Sequence, residues 1–164
     1  MHRLQVHNIH MDAMDQRILE QLQQNADLTN QALAEQIGLS PSACLKRVKR
    51  LHDSGIIDRI VALLNPEAIA EGLYIIIEVT MERDNKRLYK RFENRAIARP
   101  EVKQCYQVTG ESDFILVISV PDMQAYDRFC DAVLYADDNM RKFRTLLSRK
   151  RSKFDTSSMI EPST

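Results

Sequence analysis

Neither charge predominates in this chain of 164 residues, no apolar run is long enough for a membrane, and no cysteines pair by spacing. Lys and Arg together number 23, as do Asp and Glu. A polyanion would therefore have to be met by local clusters of cations rather than by a positive field over the whole surface. A spanning helix needs roughly 20 apolar residues in a row, and the first residues lack the basic-then-apolar order of a secretory signal. A cytoplasmic protein with no membrane partner is expected. Cys44, Cys105 and Cys130 are odd in number and scattered without metal-ligand spacing, so they read as small buried hydrophobes in a reducing compartment. Cys44 lies between two cationic stretches that could depress its pKa, but its place on an apolar helix face argues against a redox switch. All four histidines, His2, His7, His10 and His52, fall in the first third of the chain. A zinc or acid–base site in the remainder would have to work without imidazole, and no cofactor, metal or catalytic group is expected.

What is present is organised around Thr29 to Leu51, TNQALAEQIGLSPSACLKRVKRL. Thr29 is placed to cap a helix carrying Leu33, Ala34 and Ile37 at helical spacing, and Gly38 stands where a helix leaves through a left-handed residue. Ser40 then caps a second helix, with Pro41 at its first position, where the missing N–H costs nothing. At about 100° per residue that helix puts Cys44, Val48, Leu51 and Gly55 on one side. Ser42, Lys46, Lys49 and Asp53 fall on the other, with Ala43 and Arg50 on its flank and Arg47 nearer the buried edge. An apolar back and a cationic front with small residues near its start suit a helix that enters the major groove of DNA. The small residues allow close approach to base edges, and the cations reach phosphates or guanine. Thr29, Ser40, Ser42, Ala43, Lys46, Arg47, Lys49 and Arg50 are the candidate DNA contacts. The competing reading is an amphipathic surface helix with an ordinary solvated face.

Around this pair, 164 residues allow one domain or two small ones. Residues 1–10 show no sustained period and are expected to be a flexible tail. Asp12 to Asn25 reads as a helix with Met14, Ile18, Leu19 and Leu22 as its apolar stripe, packed beneath the other two, so that residues 11–55 make one domain. Ile56 to Leu64 is β-branched and apolar, of strand character, either a short wing or a connector between domains. Asn65-Pro66 breaks it, Pro66 to Glu71 fits one helical turn before Gly72, and 56–72 is taken as connector and hinge. From Leu73 strands alternate with helices. The expected strands are LYIIIEVTME, VKQCYQVTG, FILVISV and Arg141 to Lys150, with helices over Asn85 to Ala98 and Pro121 to Ala136 and a tight turn at Gly110 to Asp113. The order βαββαβ over residues 73–154 is the ferredoxin-like arrangement, and the fold class is α+β. Both helices cover one face of such a sheet. Strands this apolar, with Ile75, Ile77, Val79, Ile115 and Val117, cannot leave both faces wet, so the other face should meet a second copy of itself and a homodimer is expected. Residues 155–164 are polar and expected to be a flexible tail.

Two stretches carry a resemblance to a known family. MDQRILEQLQQNADLTNQALAEQIGLSPSACLKRVKRLHDSGII is similar to the N-terminal helix-turn-helix of the Lrp/AsnC, or feast/famine, regulators of bacteria and archaea. VTGESDFILVISVPDMQAY resembles the turn and helix start of their effector domain, and the likeness runs from about Met11 to Lys153. The resemblance implies a transcriptional regulator that binds double-stranded DNA and pairs through the effector-domain sheet, with dimers assembling further into tetramers or octamers. It also implies a small effector, usually an amino acid, bound between dimers near the turn after the second strand. In this chain that turn is Gly110, Glu111, Ser112 and Asp113, flanked by Gln107 and Phe114, and the facing wall would come from Met123, Leu146, Leu147 and Ser148.

The chemistry of such a site can be argued from the residues themselves. A zwitterion needs an acceptor for its ammonium, which Asp113 or Glu111 can supply, and donors for its carboxylate. Main-chain N–H groups around Gly110, where no Cβ blocks approach, can supply those. Met123 and Leu146 suit an apolar side chain. The alternative is that Gly110 only gives a hairpin its positive φ while the acids stay solvated. Arg149, Lys150, Arg151 and Lys153 make the end of the chain more basic than a neutral effector requires. They could touch DNA, favour an acidic ligand, or form a charged edge that discourages aggregation, and the edge is the preferred reading. Two further function classes stay open: an architectural protein that compacts DNA without an effector, and a small enzyme on a ferredoxin-like scaffold, against which the absence of histidine, a metal-spaced cluster or an activated nucleophile counts.

Overall fold

The computed structural model describes residues 11–65, 69 and 72–160. The expected N-terminal tail, most of the helical turn expected between Pro66 and Glu71, and the last four residues lie outside the described residues. The chain divides into two compact units, one running up to Leu63 and including the stretch from Phe154 onward, the other running from Leu64 to Lys153.

In the first unit three helices follow from their caps. α1 (Ala13–Gln24) opens on a reciprocal box in which Asp12 accepts from the Met14 and Asp15 N–H groups while Asp15 accepts from the Asp12 N–H. α2 (Asn30–Ile37) is capped by Thr29 and leaves through Gly38 at φ 74°, in the left-handed region that favours glycine. α3 (Pro41–Asp53) starts at the Ser40 cap with Pro41 in its first turn. Their shared core is Ile18, Leu33, Ala34, Ile37, Cys44 and Leu51, with Leu19, Leu22, Val48, Ile56 and Ile57 packed against it. Asp58 to Asn65 forms no strand, and Ile60, Val61, Leu63 and Leu64 are exposed. The β-branched composition satisfies only half of what a strand needs, because a strand exists through a ladder with a partner, and none of the described residues supplies one. The chain returns to this unit at its end, where the Gln23 side chain both accepts from the Ser158 N–H (2.5 Å) and donates to the Ser158 carbonyl (3.2 Å).

The second unit holds β1 (Leu73–Met81), α4 (Lys86–Ile97), β2 (Val102–Gln107), β3 (Phe114–Val120), α5 (Met123–Phe129, continuing as one π-helical turn over Cys130–Leu134) and β4 (Met140–Leu147). The strands form one antiparallel sheet in the order β2-β3-β1-β4, the ferredoxin-like order. Alternation along β1 and β3 decides which side is buried: Ile75, Ile77, Val79, Phe114, Leu116 and Ile118 point under α4 and α5, where Phe92, Ala96, Phe129 and Val133 meet them. The opposite side carries Ile76, Ile115 and Val117, only half-buried, with Tyr106 and Leu146 exposed. Ile75, Ile77 and Val79 thus belong to the helix-covered core, whereas the open face belongs to their neighbours in the alternation. β4 ends at Leu147 rather than at Lys150, because Ser148 N–H already reaches the Tyr74 carbonyl and β1 begins at Leu73, so the ladder has no further partner to offer. Among the described residues no helix is long and apolar enough to cross a membrane.

Candidate nucleic-acid interface and effector site

α3 is held from behind and from its start. Cys44 and Leu51 are fully buried, and the Asn30 side-chain amide donates to the Pro41 carbonyl (2.8 Å), fixing the turn between α2 and α3. The Thr29 and Ser40 hydroxyls are used as caps, accepting from Ala32 (3.2 Å) and Ala43 (3.3 Å) N–H groups, and Ser40 also meets the Ser42 hydroxyl at 3.3 Å. Ser42, Lys46 and Lys49 stand exposed along the front, and Ala43 is half-buried. Burial pushes the Cys44 thiol above its ordinary pKa, which leaves it protonated and inert.

The two arginines are placed differently from the two lysines. Arg47 donates to Asp12 (2.7 Å) and to Asp15 (2.9 Å), and Arg50 donates to the other oxygen of Asp15, whose side chain is wholly buried. Arg50, read from helical periodicity as the flank of the cationic front, is therefore engaged with α1 together with Arg47 nearer the buried edge. A wheel drawn for one helix cannot show this, because the partners lie 32 to 35 residues away in sequence. The Asp15 N–H first, and the Arg47 guanidinium next, hold the Asp12 carboxyl at a pKa of about 2.

At the other candidate site the turn between β2 and β3 is firmly built. Val108 N–H donates to the Asp113 carbonyl, Asp113 N–H to the Val79 carbonyl, and the Thr80 hydroxyl to the Glu111 carbonyl (3.3 Å). Asp113 is engaged on both carboxylate oxygens, one taking the Met81 N–H (2.7 Å) and the other the Tyr89 hydroxyl (2.5 Å). Glu111 is exposed, and Gly110 adopts φ 135° with open space where a Cβ would stand. The Phe114 side chain does not face this turn; it is wholly buried against the rings of Tyr89 and Phe92.

Within one chain the candidate effector residues form two groups. Gln107 and the Gly110–Asp113 turn adjoin the Val79–Met81 end of β1. Leu146, Leu147 and Ser148 pair with Tyr74 to Ile76 at its other end, on the side where β3 leaves toward Met123. At about 3.3 Å per residue these groups lie about 15 Å apart. Tyr89, whose hydroxyl braces the turn, was not among the candidates. In the helix over Asn85 to Ala98 it falls on the apolar side with Leu88, Phe92 and Ala96, and nothing in that spacing tells a braced phenol from a packed one.

A helix-turn-helix unit presenting α3, followed by a ferredoxin-like unit with an uncovered sheet face and a rigid acidic turn, is the organisation of a ligand-responsive DNA-binding regulator. Comparison with known proteins agrees. Residues 11–58 match a winged helix-turn-helix DNA-binding domain and residues 74–158 match the Lrp/AsnC ligand binding domain. The chain is 35% identical over 143 residues to the leucine-responsive regulatory protein of Haemophilus influenzae, covering 87% of this chain and 86% of that one. It is 34% identical over 150 residues to an uncharacterised HTH-type transcriptional regulator of Sinorhizobium fredii, covering 92% and 89%. Among solved structures it resembles a transcriptional regulator of Neisseria meningitidis in complex with L-Met, with 36% identity, a TM-score of 0.81, and 91% and 96% of the two chains covered. An AsnC family regulator of Agrobacterium tumefaciens gives 29% identity, a TM-score of 0.82, and 91% and 97% coverage. The chain belongs to the Lrp/AsnC family of transcriptional regulators, with a DNA-binding domain and a ligand-binding domain.

Proposed function

We propose that this protein binds a specific operator as a homodimer, with α3 of each copy in the major groove, and that an amino acid effector changes its operator affinity or its assembly. The observation that carries the DNA half is α3 itself: an exposed row of Ser42, Lys46 and Lys49 on a helix whose back is sealed by Cys44 and Leu51. The half-buried row of Ile76 and Val117, with exposed Leu146 beside it, supports pairing of two copies through the open sheet face. Dimers assemble further into tetramers or octamers, and the effector lodges between them.

An assembled site explains why the candidate effector residues stand at opposite ends of one sheet: the turn of one copy and the Met123, Leu146–Ser148 wall of another complete it together. Glu111 takes the ammonium, since both Asp113 oxygens already hold protein donors while Glu111 stands exposed, and the main-chain N–H groups of the Gly110–Ser112 turn take the carboxylate. The Neisseria relative solved with L-Met supports an amino acid in this role. Coupling follows if the effector binds one assembly or one spacing of reading helices better than the other. The test is fluorescence anisotropy on duplex from upstream of the protein's own gene, with sedimentation in parallel, over a panel of amino acids including Met and Leu. At least one amino acid shifts operator affinity or the oligomer distribution. No shift with any of them would remove the regulatory half of this reading.

A further inference from the structure

α3 carries four cations between Lys46 and Arg50, and the structure treats them as two pairs. Lys46 and Lys49 project, and Arg47 and Arg50 are held by Asp12 and Asp15. Arg47 bridges both carboxylates and forms part of the α1–α3 joint. Arg50 is different. It is 45% exposed, it meets Asp15 alone, and it stands one helical turn beyond Lys46 on α3.

We propose that Asp15 is a specificity-determining residue of the DNA-binding unit, which withholds Arg50 from DNA phosphates by keeping its guanidinium on the protein. The inference rests on the reading of α3 as the groove helix. Asp15 is wholly buried and Arg47 holds its other oxygen, so if Arg50 leaves, the oxygen it met keeps only the Asp12 N–H and water cannot replace the lost donor, a cost greater than an exposed ion pair returns. Phosphate contacts add affinity without sequence information, each contributing about 0.9 to the salt slope. A helix that could spend every cation on phosphates would bind any duplex well. With Arg50 held back, a larger share of the binding free energy comes from base edges near Ser42 and Ala43.

The test is the salt dependence of binding, by fluorescence anisotropy, to the upstream duplex and to a random duplex of equal length. Arg50→Ala leaves the salt slope unchanged, whereas Lys46→Ala flattens it by about 0.9. Asp15→Asn frees Arg50 and steepens the slope by about 0.9, so that affinity falls about threefold more between roughly 50 and 200 mM salt, and it narrows the preference for the upstream duplex. Glu20→Gln on the exposed side of α1 makes the same change in net charge and alters neither quantity. If Arg50→Ala flattens the slope as Lys46→Ala does, Arg50 is a DNA contact and the proposal is overturned while the reading of α3 stands. If Lys46→Ala and Lys49→Ala also have no effect, the reading of α3 fails and this inference with it. Circular dichroism shows whether Asp15→Asn folds, and if it does not, Arg50→Ala decides alone.

Discussion

The Tyr89 hydroxyl donates to Asp113 at 2.5 Å, tying the first turn of the first helix in the ligand-binding domain to the last residue of the turn between β2 and β3. The same carboxylate takes the Met81 N–H, so one residue joins a helix, a turn and the end of the central strand. A side chain that the sequence offers as an ammonium acceptor is thereby a brace, and the acidic residue left facing outward is Glu111.

Tyr89→Phe keeps the ring packed on Phe114 and removes only this hydrogen bond, which should cost about 1.5 kcal/mol because the acceptor is charged and partly buried. Burial first, and Asp113 next, raise the Tyr89 pKa to about 12, and burial raises that of Tyr126 to about 12 as well. The folded state favours the neutral phenol, so this contribution is complete below pH 10 and is lost as pH rises toward 12. Urea unfolding followed from pH 9 to 12 should show wild type losing stability over that window and Tyr89→Phe losing less. Equal losses in the two would show that Tyr89 is not the group responsible.

The turn makes a second prediction through its backbone. Gly110 at φ 135° lies where L side chains are strained, although nothing would collide with an added Cβ. Gly110→Ala should therefore cost about 1–3 kcal/mol through conformation alone and also disturb the N–H groups proposed to hold the effector carboxylate. Glu111→Gln should leave stability within about 0.5 kcal/mol, being exposed, yet weaken effector binding at least tenfold by calorimetry. Undiminished binding in Glu111→Gln would move the ammonium partner elsewhere.

Most of the fold follows from local chemistry. Thr29, Ser40-Pro41 and Gly38 set the ends of α2 and α3 through their own side chains or backbone freedom, and the two-residue period of FILVISV fixes which side of β3 is core. That period also implies that Phe114 is buried with Leu116 and Ile118, a conclusion that a focus on the turn conceals. Features that depend on residues distant in sequence were not legible: the carboxylates that hold Arg47 and Arg50, the hydroxyl that engages Asp113, and the lack of a strand ladder over Asp58 to Leu64 among the described residues. The π-helical turn at Cys130–Leu134 is also silent in the sequence, since its apolar spacing reads as ordinary α-helix.

Pairing through the open sheet face is tested by placing a charge at its centre. Ile76 and Val117 are cross-strand neighbours, with Leu146 opposite Ile76 on the far side, so they form one apolar row across β4, β1 and β3. Neither contributes to the core beneath the helices. Val117→Asp should therefore leave the fold intact by circular dichroism while converting the protein to monomer in sedimentation velocity, and operator affinity should fall because two reading helices no longer act together. A dimeric Val117→Asp would place the interface on another surface.

The acid limb of stability should report the joint between α1 and α3. Asp12 has its pKa lowered from 3.8 to about 2, first by the Asp15 N–H and then by Arg47. A depressed carboxylate contributes stability that is present above its unfolded pKa and disappears as pH falls through the folded one, so the window runs from about pH 4 down to about pH 2. Asp12→Asn removes the charge and keeps the cap, since asparagine caps a helix as well as aspartate does but carries no charge for the Asp15 N–H or Arg47 to hold. Thermal melts should find Asp12→Asn less stable than wild type at pH 5, with the gap closing as pH approaches 2. A gap that stays constant down to pH 2 would mean that the variant harms the cap rather than the ion pair, and the charge on Asp12 would have no part in holding the reading helix.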